Sequence, residues 1–352
     1  VVSPTRRTST PAQRNVTIED VARAAGVAKS TVSNVLNGSG RFGEAARARV
    51  LDMVDQLGYQ PHQGARSMRS RKTMRLAYLM PPIALEPTNL IIMQFMQALL
   101  TAAARQRYRV LVVAQEADPS DDIRRLAADR SVDAFVLSDL QADDPRAELL
   151  CELGMPFSCF GRTRPGQPQS WADIDNAAAE AEAVRHVVDR GYTRLGFAGF
   201  DTGSPWDLER EAGFRAGLAS RGIGGDGAGM LRIPDDASAR AEIRSFIASA
   251  EPDAVLTGSD RIAAIVYSVA PELNRQVGRD LAVAGFDGSV GAGLLHPTLT
   301  SVVLPVEDIA RRIVSRVLRQ VEHGADTEPG EVIPTWLREG ASTQARTGIV
   351  VV

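Results

Sequence analysis

Residues 16–38 run Val16-Thr17-Ile18-Glu19-Asp20-Val21-Ala22-Arg23-Ala24-Ala25-Gly26-Val27-Ala28-Lys29-Ser30-Thr31-Val32-Ser33-Asn34-Val35-Leu36-Asn37-Gly38. Thr17 is placed to cap a short helix over 18–25 whose apolar residues fall at helical spacing, and Gly26 ends it where a positive backbone angle costs least. Val27 turns back toward a core, and a second helix starts at Lys29 with Val32, Val35 and Leu36 on its inner face. Two short helices joined through a glycine turn, the second polar at its start, is the geometry that enters the major groove of DNA; an ordinary surface helix pair has the same pattern. In a groove, Lys29, Ser30 and Asn34 would read base edges, while the hydroxyls of Thr31 and Ser33 suit phosphates, fixing register without carrying much sequence information. Thr17 and Asn37, at the two ends of the pair, complete this set of candidate DNA contacts.

Charge points the same way. The chain has 352 residues and a formal net charge of -3, but residues 1–75 hold thirteen Lys and Arg against five Asp and Glu. A +8 head is therefore joined to a -11 body that would repel phosphate, so any DNA contact belongs to the head. Residues 1–14, rich in Ser, Thr, Pro and Arg without periodicity, are expected to be a disordered tail.

With 44% apolar residues the chain can bury a substantial core in two or three folding units. Its longest apolar stretches, such as 76–80 and 110–114, fall far short of the ~18 residues of a membrane span, and no apolar signal region opens it; a cytoplasmic protein with no membrane partner is expected. Cys151 and Cys159 lack a metal-type pattern and are expected to be buried free thiols.

Residues 16–38 resemble the signature of the lactose-repressor family of bacterial transcriptional regulators. The resemblance continues through a third helix over 47–59 ending in Leu57-Gly58-Tyr59, then Pro61 and Ala65-Arg66-Ser67-Met68-Arg69. It implies a helix-turn-helix domain over 15–61 and a hinge over 62–73. In the hinge a short helix orders on the operator, Met68 is an apolar wedge in the minor groove, Ala65 is small enough for paired hinges to approach, and Arg69 joins the DNA contacts. Asn34 stands where the family commonly has arginine, so base preference there is open. Because such heads bind palindromic half-sites, a homodimer on double-stranded, pseudo-symmetric operator DNA is expected.

From residue 74 onward short apolar runs alternate with helical patterns, the signature of parallel sheets covered on both faces. Strands are expected at 76–80, 110–114, 134–137, 157–160, 195–198, 254–257 and 281–286, and helices around 89–106, 175–190, 208–221, 237–248, 261–269 and 306–322. The fold class is thus an all-α helix-turn-helix head plus an α/β body of two doubly wound units. The resemblance implies that this body, 74–352, is like a periplasmic sugar-binding protein. Two lobes, about 74–172 with 305–330 and about 173–300 with 331–345, would be joined by three chain crossings, with ligand in the cleft at the carboxyl ends of strands.

Within the motif Arg210-Glu211-Ala212-Gly213-Phe214, Arg210 resembles the family's ligand-gripping arginine, which can fork two hydrogen bonds onto vicinal hydroxyls or a carboxylate. Asp287, in Gly285-Phe286-Asp287-Gly288, matches a strand-end aspartate that accepts from hydroxyls or caps its loop. Ser259 stands where the family often has asparagine, and Asp260 is a candidate cap for the next helix. Trp206, in a Pro-containing loop, either stacks on a sugar face or packs locally; Arg162 reaches the cleft mouth by strand-end logic. Leu304 replaces the polar residue common at its crossing.

These residues suit a sugar or oligosaccharide effector more than a nucleobase or other metabolite. An exported solute-binding protein would have no use for the basic head. The four histidines lie in no nucleophile motif and neither lysine completes a phosphate loop, so no enzyme, metal or cofactor is expected. Residues 341–352 carry no leucine heptads and predict no tetramer-forming tail.

Overall fold

A computed structural model describes residues 16–37, 43–59, 72–80, 90–114, 118–167, 169–225, 227–324 and 330–345. The chain divides into two compact units, Val1–Thr73 and Met74–Val352. Among the described residues no helix is long and apolar enough to cross a membrane.

The first unit holds α1 (Ile18–Ala25), α2 (Lys29–Asn37) and α3 (Glu44–Leu57). Thr17 caps α1 in a capping box, its side chain accepting from the Asp20 N–H while the Asp20 side chain accepts from the Thr17 N–H, and Gly26 closes the helix with φ 65°. Val21, Val32 and Val50, one from each helix, are fully buried, with Val35 and Tyr59 around them. The third helix begins at Glu44, three residues before its expected start, because Gly43 provides an extended N-cap.

The second unit contains two six-stranded sheets. The first lobe comprises β1 (Arg75–Met80), α4 (Leu90–Arg105), β2 (Arg109–Ala114), α5 (Ser120–Ala128), β3 (Ala134–Leu137), α6 (Pro145–Glu152), β4 (Phe157–Phe160) and β5 (Trp171–Asp173). The second comprises α7 (Asn176–Asp189), β6 (Leu195–Phe200), α8 (Pro205–Ser220), β7 (Gly229–Ile233), α9 (Ala239–Ala250), β8 (Ala254–Thr257), α10 (Asp260–Val269), β9 (Ala282–Asp287) and β10 (Thr300–Val303). The chain then returns through α11 (Val306–His323) and β11 (Glu331–Val332) to the first lobe and ends on β12 (Trp336–Arg338) in the second. Strand orders are β2-β1-β3-β4-β5-β11 and β7-β6-β8-β9-β10-β12. All pairings are parallel except β10 with β12.

Two boundaries differ from the sequence expectation. Asp173 ends a strand of the first sheet, and residues 331–332 pair with β5 in that sheet, Glu331 opposite Ala172 and Val332 opposite Asp173; both segments thus belong to the first lobe. The edge of β5 takes up the backbone groups of β11, which no local pattern announces. Cys159 is buried as expected, but Cys151 is exposed because it falls on the outer face of α6.

Candidate functional site

In the head, Lys29 and Ser30 are exposed at the start of α2, and Thr31, Ser33 and Asn34 are half-buried. The Lys29 ammonium pairs with the Glu19 carboxylate of α1, and this hydrogen bond lowers the pKa of Glu19. Thr17 is engaged in its capping box, and Asn37 closes α2. Ala65, Met68 and Arg69 lie outside the described residues.

In the second unit, the carboxyl ends of both sheets face a cavity of about 700 Å³. Arg210, on the second turn of α8, forms its floor. Its Nε donates to Asn176 Oδ1 at 3.0 Å, and its Nη1 donates to the Gly258 carbonyl at 2.6 Å and to Asp287 Oδ1 at 3.3 Å. The guanidinium carbon lies 3.7 Å from the centre of the Phe286 ring and 4.8 Å from that of Trp206. Nη2 has no hydrogen-bond partner among the described residues.

Gly213 lets Arg210 get there: a Cβ at this position would fall 2.3 Å from the Ala177 carbonyl oxygen, so only glycine brings α8 this close to α7 and to Asn176. Asp287 ends β9 with φ 112°, a backbone conformation that L residues rarely adopt. Burial raises its pKa against the pull of Arg210, and the neighbouring Asp260 pushes the same way.

Three sequence expectations are corrected here. Trp206 is not in a loop: Pro205 occupies the first helical position, so Trp206 lies on the opening turn of α8, where its Nε1 donates to Asp139 Oδ1 across the cleft at 3.1 Å. The cap of α10 is Ser259, whose hydroxyl accepts from the Ile262 N–H at 3.3 Å; Asp260 instead accepts from the Ser289 N–H at 2.6 Å and from Ser301 Oγ at 2.5 Å. Arg162 is not part of the cavity lining. It stands beside the cavity, at the junction of the two lobes, where Asp173 Oδ2 at 2.8 Å, the Ile174 carbonyl at 3.3 Å and the Glu209 carboxylate at 2.9 Å take up its donors, with the Trp171 ring 5.2 Å away.

Arg210, Asp287, Trp206 and Ser259 all border the cavity, and so does Leu304, which brings an apolar wall. The sequence reading missed Asp139, Asn176 and Glu209. Asp139 follows β3, so the strand-end logic applied to Arg162 would have found it; Asn176 and Glu209 carry no local signal. Asn176 joins two pairs, accepting from Arg210 and donating to Glu209 Oε2 at 3.2 Å.

A model of the lacI family of bacterial regulatory proteins matches residues 17–62, and a model of periplasmic binding protein-like domains matches residues 184–343. The chain belongs to the lacI family. It is 29% identical over 334 residues to the HTH-type transcriptional regulator CelR of Thermobifida fusca, which is 91% of this chain and 96% of that one. The structure of a CelR–cellobiose complex matches with TM-score 0.71 and 27% identity, over 93% of this chain and 99% of that one. The Lac repressor dimer bound to operator and the anti-inducer ONPF matches in fold, with TM-score 0.83 and 20% identity over 94% and 100% of the two chains. As a lacI-family member the protein is a DNA-binding transcriptional regulator, not an enzyme.

Proposed function

We propose that this regulator is a cytoplasmic repressor that binds a pseudo-palindromic operator as a homodimer and answers to a small carbohydrate in the cleft of its second unit. Lys29, Ser30 and Asn34 read base edges, Thr31 and Ser33 hold phosphates, and the hinge residues Ala65, Met68 and Arg69 work in the minor groove. The observation that carries the effector class is Arg210. Its guanidinium is fixed between two rings and paired with Asp287, while Nη2 keeps its donors unused, which places hydroxyl-binding donors beside a carboxylate acceptor. The aromatic faces of Trp206 and Phe286 that a nucleobase would want are occupied by that guanidinium. A cavity of about 700 Å³ is the size of a small-molecule site, and the relative CelR is known in complex with cellobiose.

The test is fluorescence anisotropy of the full chain on its own upstream DNA at fixed salt, with cellobiose, further mono- and oligosaccharides, and purines. A sugar should shift operator affinity by a coupling of ~1–3 kcal/mol. A purine that shifts it where no sugar does would overturn the carbohydrate assignment, and DNA binding that no compound shifts would remove the effector role from the cleft.

A further inference from the structure

The charges around the cavity are unequal. Among the described residues its lining contains the carboxylates of Asp139, Asp173, Asp235, Asp236, Asp260 and Asp287 but two cations, Arg210 and Arg261. Neither cation carries a free charge: Arg210 is paired with Asp287, and Arg261 is paired with Asp235 and lies over the Phe200 ring at 4.5 Å. Of the other acids Asp173 alone has an ion-pair partner among the described residues, Arg162, which is itself shared with Glu209. Asp139 is held by the indole N–H of Trp206, and Asp260 by a backbone N–H and a hydroxyl. Behind the lining, Arg146 is bound to Asp144, and Arg338, which donates to the Ser289 carbonyl, acts with its charge on Asp260.

We infer that the effector is uncharged, and that the cleft rejects its phosphorylated counterpart. This rests on the reading of the cleft as the effector site. A hydroxyl-bearing ligand donates to the excess carboxylates and accepts from Arg210 Nη2. A phosphate monoester brings a nearly doubly negative group into a partly desolvated space where both lining cations, Arg210 and Arg261, are already paired with carboxylates, and like charges at that range oppose each other strongly. The walls between the charges are apolar, with Ile91, Phe160, Ile174, Phe200 and Leu304 among them, so water screens the repulsion poorly.

The experiment is calorimetric titration of the full chain with two matched pairs, cellobiose against its phosphate monoester and adenosine against adenosine monophosphate, on the wild type and on Asp235→Asn. In whichever pair binds, the neutral member should bind at least a hundredfold more tightly. Asp235→Asn releases the charge of Arg261 and should narrow that gap at least tenfold. If adenosine is the member that binds, the carbohydrate reading fails and the charge rule stands. Equal or tighter binding of either phosphate by the wild type overturns the rule, and binding of no compound overturns it together with the effector site.

Discussion

Arg162 at the end of β4 in the first lobe and Glu209 on α8 in the second meet at 2.9 Å, an ion pair that exists only while the two lobes are held at this spacing. It is the middle of a chain of side chains, Asp173 to Arg162 to Glu209 to Asn176 to Arg210 to Asp287, running from the first sheet to the cleft floor. Gln141 Nε2 to Ser204 Oγ at 3.2 Å and Trp206 to Asp139 make two further bridges onto the same end of α8. One helix terminus thus carries both the contacts between lobes and the arginine placed to meet the ligand.

The pair is partly exposed, Arg162 by 28% and Glu209 by 35%, so solvent limits its worth to about 1 kcal/mol or less. Glu209→Gln should therefore lower stability to urea by no more than that. Because the pair bridges the lobes, the same loss acts on closure and should change the ratio of operator affinities with and without effector by about fivefold. A double-mutant cycle with Arg162→Ala checks the attribution: coupling near zero would mean that the pair contributes nothing.

Glu180 gives a dependence on pH. It is fully buried on α7, its Oε1 has no hydrogen-bond partner among the described residues, and burial pushes its pKa from 4.5 up to about 8, against the pull of Arg210. Its proton is held more tightly in the folded than in the unfolded chain. Stability is therefore fully present below the unfolded pKa and falls as pH rises toward the folded one, by up to about 1.4 kcal/mol per pH unit. Glu180→Met removes this fall. Urea unfolding at pH 5 and pH 8 should show the variant gaining on the wild type by a few kcal/mol, on the order of 3, between the two; parallel losses would show that Glu180 does not titrate in this range.

At the operator, the hinge proposal makes a separable prediction. A wedge acts only where a site is kinked, whereas phosphate contacts act on any duplex, so Met68→Gly should weaken operator binding by tenfold or more and leave non-specific binding nearly intact. Anisotropy on operator and on scrambled DNA at the same salt distinguishes the two, and equal loss on both would remove the wedge role.

The elements that were legible in the sequence are those specified by their own residues. Thr17, Asp20 and Gly26 announce both ends of α1; residues 76–80 of β1 and all of β3 read as unbroken apolar runs, and the buried parallel strands β4 and β8 are apolar apart from Ser158 and Thr257. The missed strands are specified from outside. β7 is a half-exposed edge strand with Arg232 in it, and β11 is two residues defined only by pairing with β5. In β10, Thr300 and Ser301 are polar yet buried, because the Gly340 carbonyl and the Thr343 hydroxyl take up the Thr300 hydroxyl and Asp260 accepts the Ser301 hydroxyl. The site divides the same way: Arg210 and Asp287 belong to local motifs, whereas Asp139, Asn176 and Glu209 acquire their roles from partners on other elements.

Gly213 sets two opposing effects against each other. An alanine in the middle of α8 would gain about 1 kcal/mol in helix propensity. Its Cβ, however, would meet the Ala177 carbonyl oxygen at 2.3 Å and the Ala177 Cα at 2.8 Å, both backbone, which cannot swing aside as a side chain would. Overpacking of this kind costs about 1–3 kcal/mol, so the contact should win and Gly213→Ala should destabilise the second unit. The only relief is for α8 to move off α7, which stretches the Arg210 to Asn176 bond less than one turn away and carries Arg210 from Asp287. Urea unfolding and effector titration should thus fall together in this variant, and a more stable protein with unchanged effector affinity would show that the close approach of these helices does not position Arg210.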